Sequence, residues 1–463
     1  MRVSLFLLIS ACGSVSSSPP DAPAPADAMP DFVTSFGSHG LRAAAGSFEL
    51  LDLSNCCASS CAGNNPSSPY AAWFVPPGPD ETTPNPHARA DGMSNAFRLR
   101  ADEAIVFVGT TPPTSRYFGF TPYIEDRAKS GGGRRVVAAS VSETLNDLVL
   151  HADGARTAII ATGDAGTEAK ARDALIAAGF PSSAINTLVF DPALAHFGSD
   201  DAADTFDVLF RVALPQDPAA LGAYLAHPGA QVWRVTPNGA PSPSPEPSPA
   251  PRVKDASNGE LALGGSVDAL GSAIVAAYPG FTATEIPVDD GVPDPLACIS
   301  GASVCAFDNR DTTYPATKAG VLFASDDDFY VVYGVDHAVS GKVSYANASV
   351  YAVQHLVGVA SAASPRFPGS AQQYVTTDAP KLYAYKIARS CGGDPYCLEI
   401  PKGACPDGLD NGALGAIAFR TYLEPTTATA PDPSTLVRDR VLRFRPSTSL
   451  RMNGAGSRTR RGD

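Results

Sequence analysis

The chain has 463 residues, 44% of them hydrophobic and 17% charged, which is enough apolar material for a sizeable core and argues against global disorder. The formal net charge of -13 is unevenly spread: residues 438–463 carry eight Arg and two Asp, so the remainder holds -19. A body this acidic argues against nucleic acid as a partner, since phosphate binding needs a basic face.

The chain opens with a cation at Arg2, an apolar run over residues 3–9, and then the small residues Ser10 and Ala11 before Cys12. That is the layout of a secretory signal peptide over residues 1–11. The apolar run is far shorter than the ~20 residues a bilayer span needs. Ile9-Ser10-Ala11-Cys12 resembles the lipobox of bacterial lipoproteins. The resemblance implies cleavage before Cys12, acylation of its thiol and new amino terminus, and a lipid-anchored place at the cell envelope, on the outer membrane or cell surface. Residues 13–30 (GSVSSSPPDAPAPADAMP) are almost all Ser, Pro, Ala and Asp, a composition that cannot bury a core. We read residues 12–32 as a flexible tether.

Residues 33–135 form an irregular lead-in followed by a β-hairpin. Two Pro-rich bursts and the cluster Cys56, Cys57 and Cys61 mark the lead-in. Phe97, Leu99 and Ala101 then alternate with Arg98, Arg100 and Asp102, which is strand periodicity. Residues 104–108 (AIVFV) and 116–123 (RYFGFTPY), separated by Pro112-Pro113, read as paired strands.

Residues 136–236 present strands at 157–162, 186–190, 206–214 and 231–236, with helices opened by Thr167 and by Asp217-Pro218. This order predicts a ferredoxin-like βαββαβ unit. Residues 237–252 (PNGAPSPSPEPSPAPR) are a Pro/Ser-rich linker, acting as a boundary or a long surface excursion. Beyond it, Ser266 caps an expected helix over 266–278. Six strand-like runs between 281 and 423 predict a β-rich, sandwich-like domain over 253–437. The fold class is therefore α+β. Residues 438–463 read as a basic, disordered tail able to touch anionic lipid or envelope polymers.

Apart from Cys12, eight cysteines remain: Cys56, Cys57, Cys61, Cys298, Cys305, Cys391, Cys397 and Cys405. An even set in an exported chain reads as disulfides, and no histidine sits beside them at zinc-site spacing. Short loops suggest Cys298–Cys305 and Cys391–Cys397. Of the adjacent Cys56 and Cys57, one should join Cys61 and the other reach Cys405.

No nucleophile elbow, zinc helix, Walker loop or dinucleotide turn occurs. Two stretches offer chemistry. Asp308 and Asp311 in one loop, and Asp326 and Asp328 before a strand, supply the hard oxygens that calcium takes, against the simpler reading of acidic, solvated turns. His337, Lys342, Ser344 and Tyr345 surround one turn and could serve acid-base work, against the simpler reading of polar strand ends. No cofactor other than calcium is suggested. The expectation is a non-enzymatic binding or structural module at the envelope, with a surface ligand or envelope polymer as partner. The alternative is an extracellular hydrolase or lyase with a site around His337, Lys342 and Asp308.

Overall fold

The computed structural model describes residues 31–447 apart from 55, 59, 258, 292 and 293. The expected signal peptide, Cys12, the tether up to residue 30 and the tail beyond residue 447 lie outside the described residues. Among the described residues no helix is long and apolar enough to cross a membrane.

The first half contains strands β1 (Leu41–Leu50), β2 (Tyr70–Phe74), β3 (Ala104–Thr110), β4 (Ser115–Ala128), β5 (Arg134–Ser140), β6 (Leu145–Asn146), β7 (Arg156–Thr162), β8 (Ile185–Val189), β9 (Thr205–Pro215) and β10 (Gln231–Pro237). Its helices are α1 (Phe32–Ser38), α2 (Ala165–Ala177) and α3 (Pro218–Ala226). An outer layer runs β1-β10-β3-β7-β8 and an inner one runs β5-β4-β9-β2-β1. Strand β1 belongs to both: Leu41–Gly46 pair with β10, and Ser47–Leu50 pair with β2. The crossing falls at Gly46, where a Cβ would lie 2.4 Å from the Phe74 carbonyl oxygen, so only glycine fits. Phe48, Trp73, Phe107, Phe120 and Phe210 fill the space between the two layers. On the outer face, Phe32 and Phe36 of α1 and Ala174 and Leu175 of α2 cover Val106, Ile160 and Trp233. The outer sheet is thus buried on both faces, which is why β3 and β7 are continuous apolar runs.

The second half contains α4 (Gly264–Ala277), β11 (Phe281–Ile286), β12 (Val288–Asp290), α5 (Pro295–Ser300), β13 (Thr312–Thr313), β14 (Pro315–Thr317), β15 (Gly320–Val321), β16 (Phe329–Val335), β17 (Tyr345–Ala352), β18 (Val357–Ala363), β19 (Leu382–Ala388), β20 (Cys397–Glu399), β21 (Leu414–Tyr422) and β22 (Arg440–Pro446). Its outer sheet runs β11-β22-β16-β19-β20 and its inner sheet runs β12-β14-β21-β17-β18. Tyr330, Val332, Tyr385, Val350, Ile417 and Phe419 fill the sandwich between them. Val267, Leu270 and Ile274 of α4 cover the outer face.

The two halves share one plan. Outer strands β1, β10, β3, β7 and β8 correspond in order to β11, β22, β16, β19 and β20, and the last pair is parallel in both. Inner strands β5, β4, β9 and β2 correspond to β18, β17, β21 and β14. The crossing strand β1 corresponds to β11 and β12, which Pro287 divides because it has no N–H to give a ladder. The inner sheets face each other, and Tyr117, Ala213, Tyr345, Tyr422 and Leu423 pack into one cluster between them. The layers run helix, sheet, sheet, sheet, sheet, helix.

Several expectations need correction. The fold is α+β and sheet-dominated, but the four strands expected to make a ferredoxin-like sheet do not form one: β7 pairs directly with β8. Strand β3 separates β7 from β10, and β9 lies in the inner layer. Nor do β3 and β4 form a hairpin; they face each other across the core, with Phe107 and Phe120 5.4 Å apart. The alternation at 97–102 is not a regular strand: Phe97 makes one isolated bridge to Phe206, and Arg98 and Arg100 are buried on Glu81, Asp80 and Asp102. Helix α2 is capped by Asp164, which accepts the Thr167 N–H at 2.7 Å, and α4 starts at Gly264 while Ser266 donates to Asp378. The basic end begins as strand β22, paired on both sides, so 438–447 is not tail. The Pro/Ser segment is a surface strap: the Ala165 N–H donates to Ser244 O, the Glu246 N–H donates to Gly163 O, and Ser248 Oγ donates to Asp191.

Candidate functional site

All eight cysteines of the body pair as expected: Cys56–Cys61, Cys57–Cys405, Cys298–Cys305 and Cys391–Cys397. Two of these short loops start equivalent segments, residues 61–70 (CAGNNPSSPY) and 305–314 (CAFDNRDTTY). Each segment docks on the opposite half. In the first, the N–H groups of Cys61 and Gly63 donate to the carbonyls of His355 and Leu356, both at 2.7 Å. Asn64 Oδ1 accepts the Gly358 N–H at 2.8 Å, and Asn65 Nδ2 donates to Tyr345 Oη at 3.3 Å. In the second, Cys305 and Phe307 donate to the carbonyls of Val137 and Ala138 at 3.2 and 2.8 Å. Asp308 Oδ1 accepts the Ser140 N–H at 2.8 Å, and Asn309 Nδ2 donates to Tyr117 Oη at 2.6 Å. Even the unusual backbone repeats: Ala62 and Ala306 both have φ of 50°, and the receiving residues Leu356 and Ala138 both have φ of 47°.

One arginine closes each latch. Arg420 on β21 donates from Nη2 to Gly63 O at 2.6 Å, and Arg211 on β9 donates from Nη2 to Phe307 O at 2.7 Å. Arg420 Nη1 donates to Tyr351 Oη, and Arg211 Nη1 donates to Tyr123 Oη at 2.6 Å. The Arg420 guanidinium lies 5.5 Å from the ring centres of Tyr314 and Tyr351; that of Arg211 lies 5.7 and 5.4 Å from Tyr70 and Tyr123. Both arginines are buried, and neither has a carboxylate within 4.0 Å among the described residues. A buried cation without an ion-pair partner is expensive, so faces of π-electrons and neutral oxygens carry the compensation here.

Between the two latches lies a cavity of ≈ 490 Å³, walled by both inner sheets and by both segments. Arg211 and Arg420 reach it, as do Tyr70, Tyr314, Tyr351 and Tyr422. The wall is uneven in charge. Asp207 on β9 lines it, is 1% exposed, and has Oδ1 without a hydrogen-bond partner, while Oδ2 accepts from Asn95 at 3.3 Å. Burial, with the neighbouring Glu125, pushes the Asp207 carboxyl well above the usual carboxylate range. Burial likewise raises Glu125 to about 7. The position equivalent to Asp207 on β21 is Ala416, and the one equivalent to Asp308 is Asn64.

The residues singled out from the sequence sit differently. His337 is buried between Glu260 (2.7 Å) and Asp439 (3.5 Å). Burial would lower its pKa, but the two carboxylates outweigh it and raise it to about 10. Lys342 is buried 2.5 Å from Glu424. The Ser344 N–H donates to Tyr422 O and Leu423 O, and the Tyr345 ring stacks on Tyr422 at 4.8 Å. Of His337, Lys342 and Asp308, only Asp308 lines the cavity, so the three do not converge. The four calcium candidates do not converge either. Asp308 accepts from Ser140; Asp311 accepts from Tyr117 at 3.0 Å; Asp326 bonds Lys402 and Asn411 at 2.7 Å; Asp328 accepts from Ala324 and Ser325 at 2.8 and 3.1 Å. Among the described residues the one grouping of three metal-ligand types is Cys56, Cys57 and Cys61, all in disulfides.

Arg211, Arg420 and their tyrosines were not singled out from the sequence. The signal that finds them is internal repetition: the two ten-residue segments above, and Phe210-Arg211-x-x-Leu214 against Phe419-Arg420-x-x-Leu423.

No family model matches the chain, and no curated protein matches it. Among solved structures it is similar to the crystal structure of an uncharacterised protein from Burkholderia cenocepacia, with a TM-score of 0.39 and 11% identity over 89% of this chain and 86% of that one.

Proposed function

We propose that the protein is an exported, envelope-anchored binding protein that holds a small organic ligand between its two halves. The observation that carries this reading is the shared cavity, lined by two buried arginines without carboxylate partners. Its volume falls in the range of small-molecule sites, ~300–1,000 Å³. The lipobox-like start and a body whose eight cysteines are all bridged support an extracytoplasmic place. A hydrolase or lyase centred on His337 and Lys342 has less support, because those side chains are tied up in buried ion pairs away from the cavity.

Two measurements test this. Cys12→Ser should move the protein from the membrane to the soluble fraction, since two or more acyl chains are what give stable anchoring; an unprocessed, membrane-bound variant contradicts the anchor. The melting temperature of that soluble protein, followed against a set of small organic acids at millimolar concentration, should rise with at least one of them. No rise across the set contradicts the binding role.

A further inference from the structure

The two walls of the cavity are equivalent by position and unlike in charge, and the difference has a direction. At one end the Asp308 carboxyl lies in the neighbourhood of Arg211, which donates to Tyr123 Oη and to the carbonyl of Phe307, the residue before Asp308. At the other end Arg420 faces Asn64 and Ala416 at the matching positions, and both are neutral. The same guanidinium, in the same tyrosine cage, is therefore partly neutralised at the first end and left as a bare buried cation at the second. Between the ends the surface is tyrosine and leucine, including Tyr70, Tyr314, Leu51 and Leu209.

We infer that the halves are copies of one duplicated unit and that their shared cavity takes a small organic carboxylic acid, its carboxylate on Arg420. This rests on the binding role proposed above and adds the class and orientation of the ligand. Arginine offers a fork of donors that matches a carboxylate, and Arg420 uses one Nη for Tyr351 and the other for Gly63, leaving further N–H groups on the same plane. An aromatic or short aliphatic spacer fits the tyrosine-lined middle.

The test uses calorimetry at pH 7 on the Cys12→Ser protein with three probes: 4-hydroxyphenylacetate, phenylacetate and 4-methylphenol. Both acids should bind at least tenfold more tightly than 4-methylphenol. Ala416→Asp places beside Arg420 the carboxylate that the other copy already has, without touching a latch, and should weaken both acids at least tenfold while leaving 4-methylphenol unchanged. Arg420→Gln should do the same; because it also loosens the Gly63 latch, its melting temperature is measured alongside. Acids that bind Ala416→Asp as tightly as the parent protein overturn the orientation and leave the binding role standing. No heat from any of the three probes overturns the binding role as well.

Discussion

The first and second halves are built alike and employed differently. Both have a helix layer, an outer sheet with one parallel pair, an inner sheet, and a disulfide-led segment that reaches across to the other half. Conserved geometry between them falls on groups that hold backbone in place: the Asn65 and Asn309 amides, the positive-φ receiving residues, and the arginines that close each latch. Divergence falls on the cavity wall, where Asp207 stands against Ala416 and Asp308 against Asn64. Positions that agree between the copies are doing structural work, and those that differ shape what the cavity accepts.

That comparison can be broken in graded steps. The largest effect should come from removing the Cys57–Cys405 bridge, which ties the reaching segment of the first half to a residue 348 positions away. Replacing both cysteines by serine should cost about 2–5 kcal/mol, because a cross-link over a long loop restricts the unfolded chain most; denaturant melts without reductant check this. Next come the two latch acceptors. Asp308→Ala removes a buried carboxylate that takes both the N–H and the Oγ–H of Ser140, and should cost about 3 kcal/mol. Its counterpart Asn64→Ala loses one neutral acceptor and should cost about 1 kcal/mol. Equal costs in chemical melts would erase the contrast between the copies.

A third step is pH. His337 in the second half has its folded pKa raised to about 10, above the ordinary ~6.5 of an unfolded histidine. Its contribution to stability is complete below about pH 6.5 and drains away as pH climbs toward 10. His87 in the first half is raised in the same direction by its hydrogen bond to Asp126, but it is only half-buried. Hydrogen exchange between pH 7 and 10 should therefore show the strands around His337 loosening before those around His87. The smallest effect should be Asp207→Ala in the ligand-free protein: it removes a buried oxygen with no partner, so stability should change by less than about 1 kcal/mol or rise slightly. A large loss there would mean that Asp207 holds the fold through its bond from Asn95.

Much of this was legible in the sequence, and what was not has a physical reason. Cysteine pairing followed from parity and loop length. Most strands announced themselves as apolar runs, from 104–108 to 415–423. Sheet order did not, because it is set by distant partners: β3 and β4 are consecutive and look like a hairpin, yet they face each other across a core of Phe107 and Phe120. The alternation at 97–102 looks like a strand, but Arg98 and Arg100 are held in a buried network with Glu81 and Asp102 in place of a ladder. The duplication hides because connections differ in length between the copies. The spacing of equivalent pairs shrinks from Tyr70 and Tyr314, through Tyr123 and Tyr351, to Arg211 and Arg420, so no single period runs through the chain.

The most direct measurement is a crystal structure of the Cys12→Ser protein grown with 4-hydroxyphenylacetate. The account predicts density in the central cavity, with the carboxylate at hydrogen-bond distance, about 2.7–3.1 Å, from the Arg420 guanidinium. A ligand lying the other way round, with its acid on Arg211, or a cavity empty at saturating concentration, would contradict it.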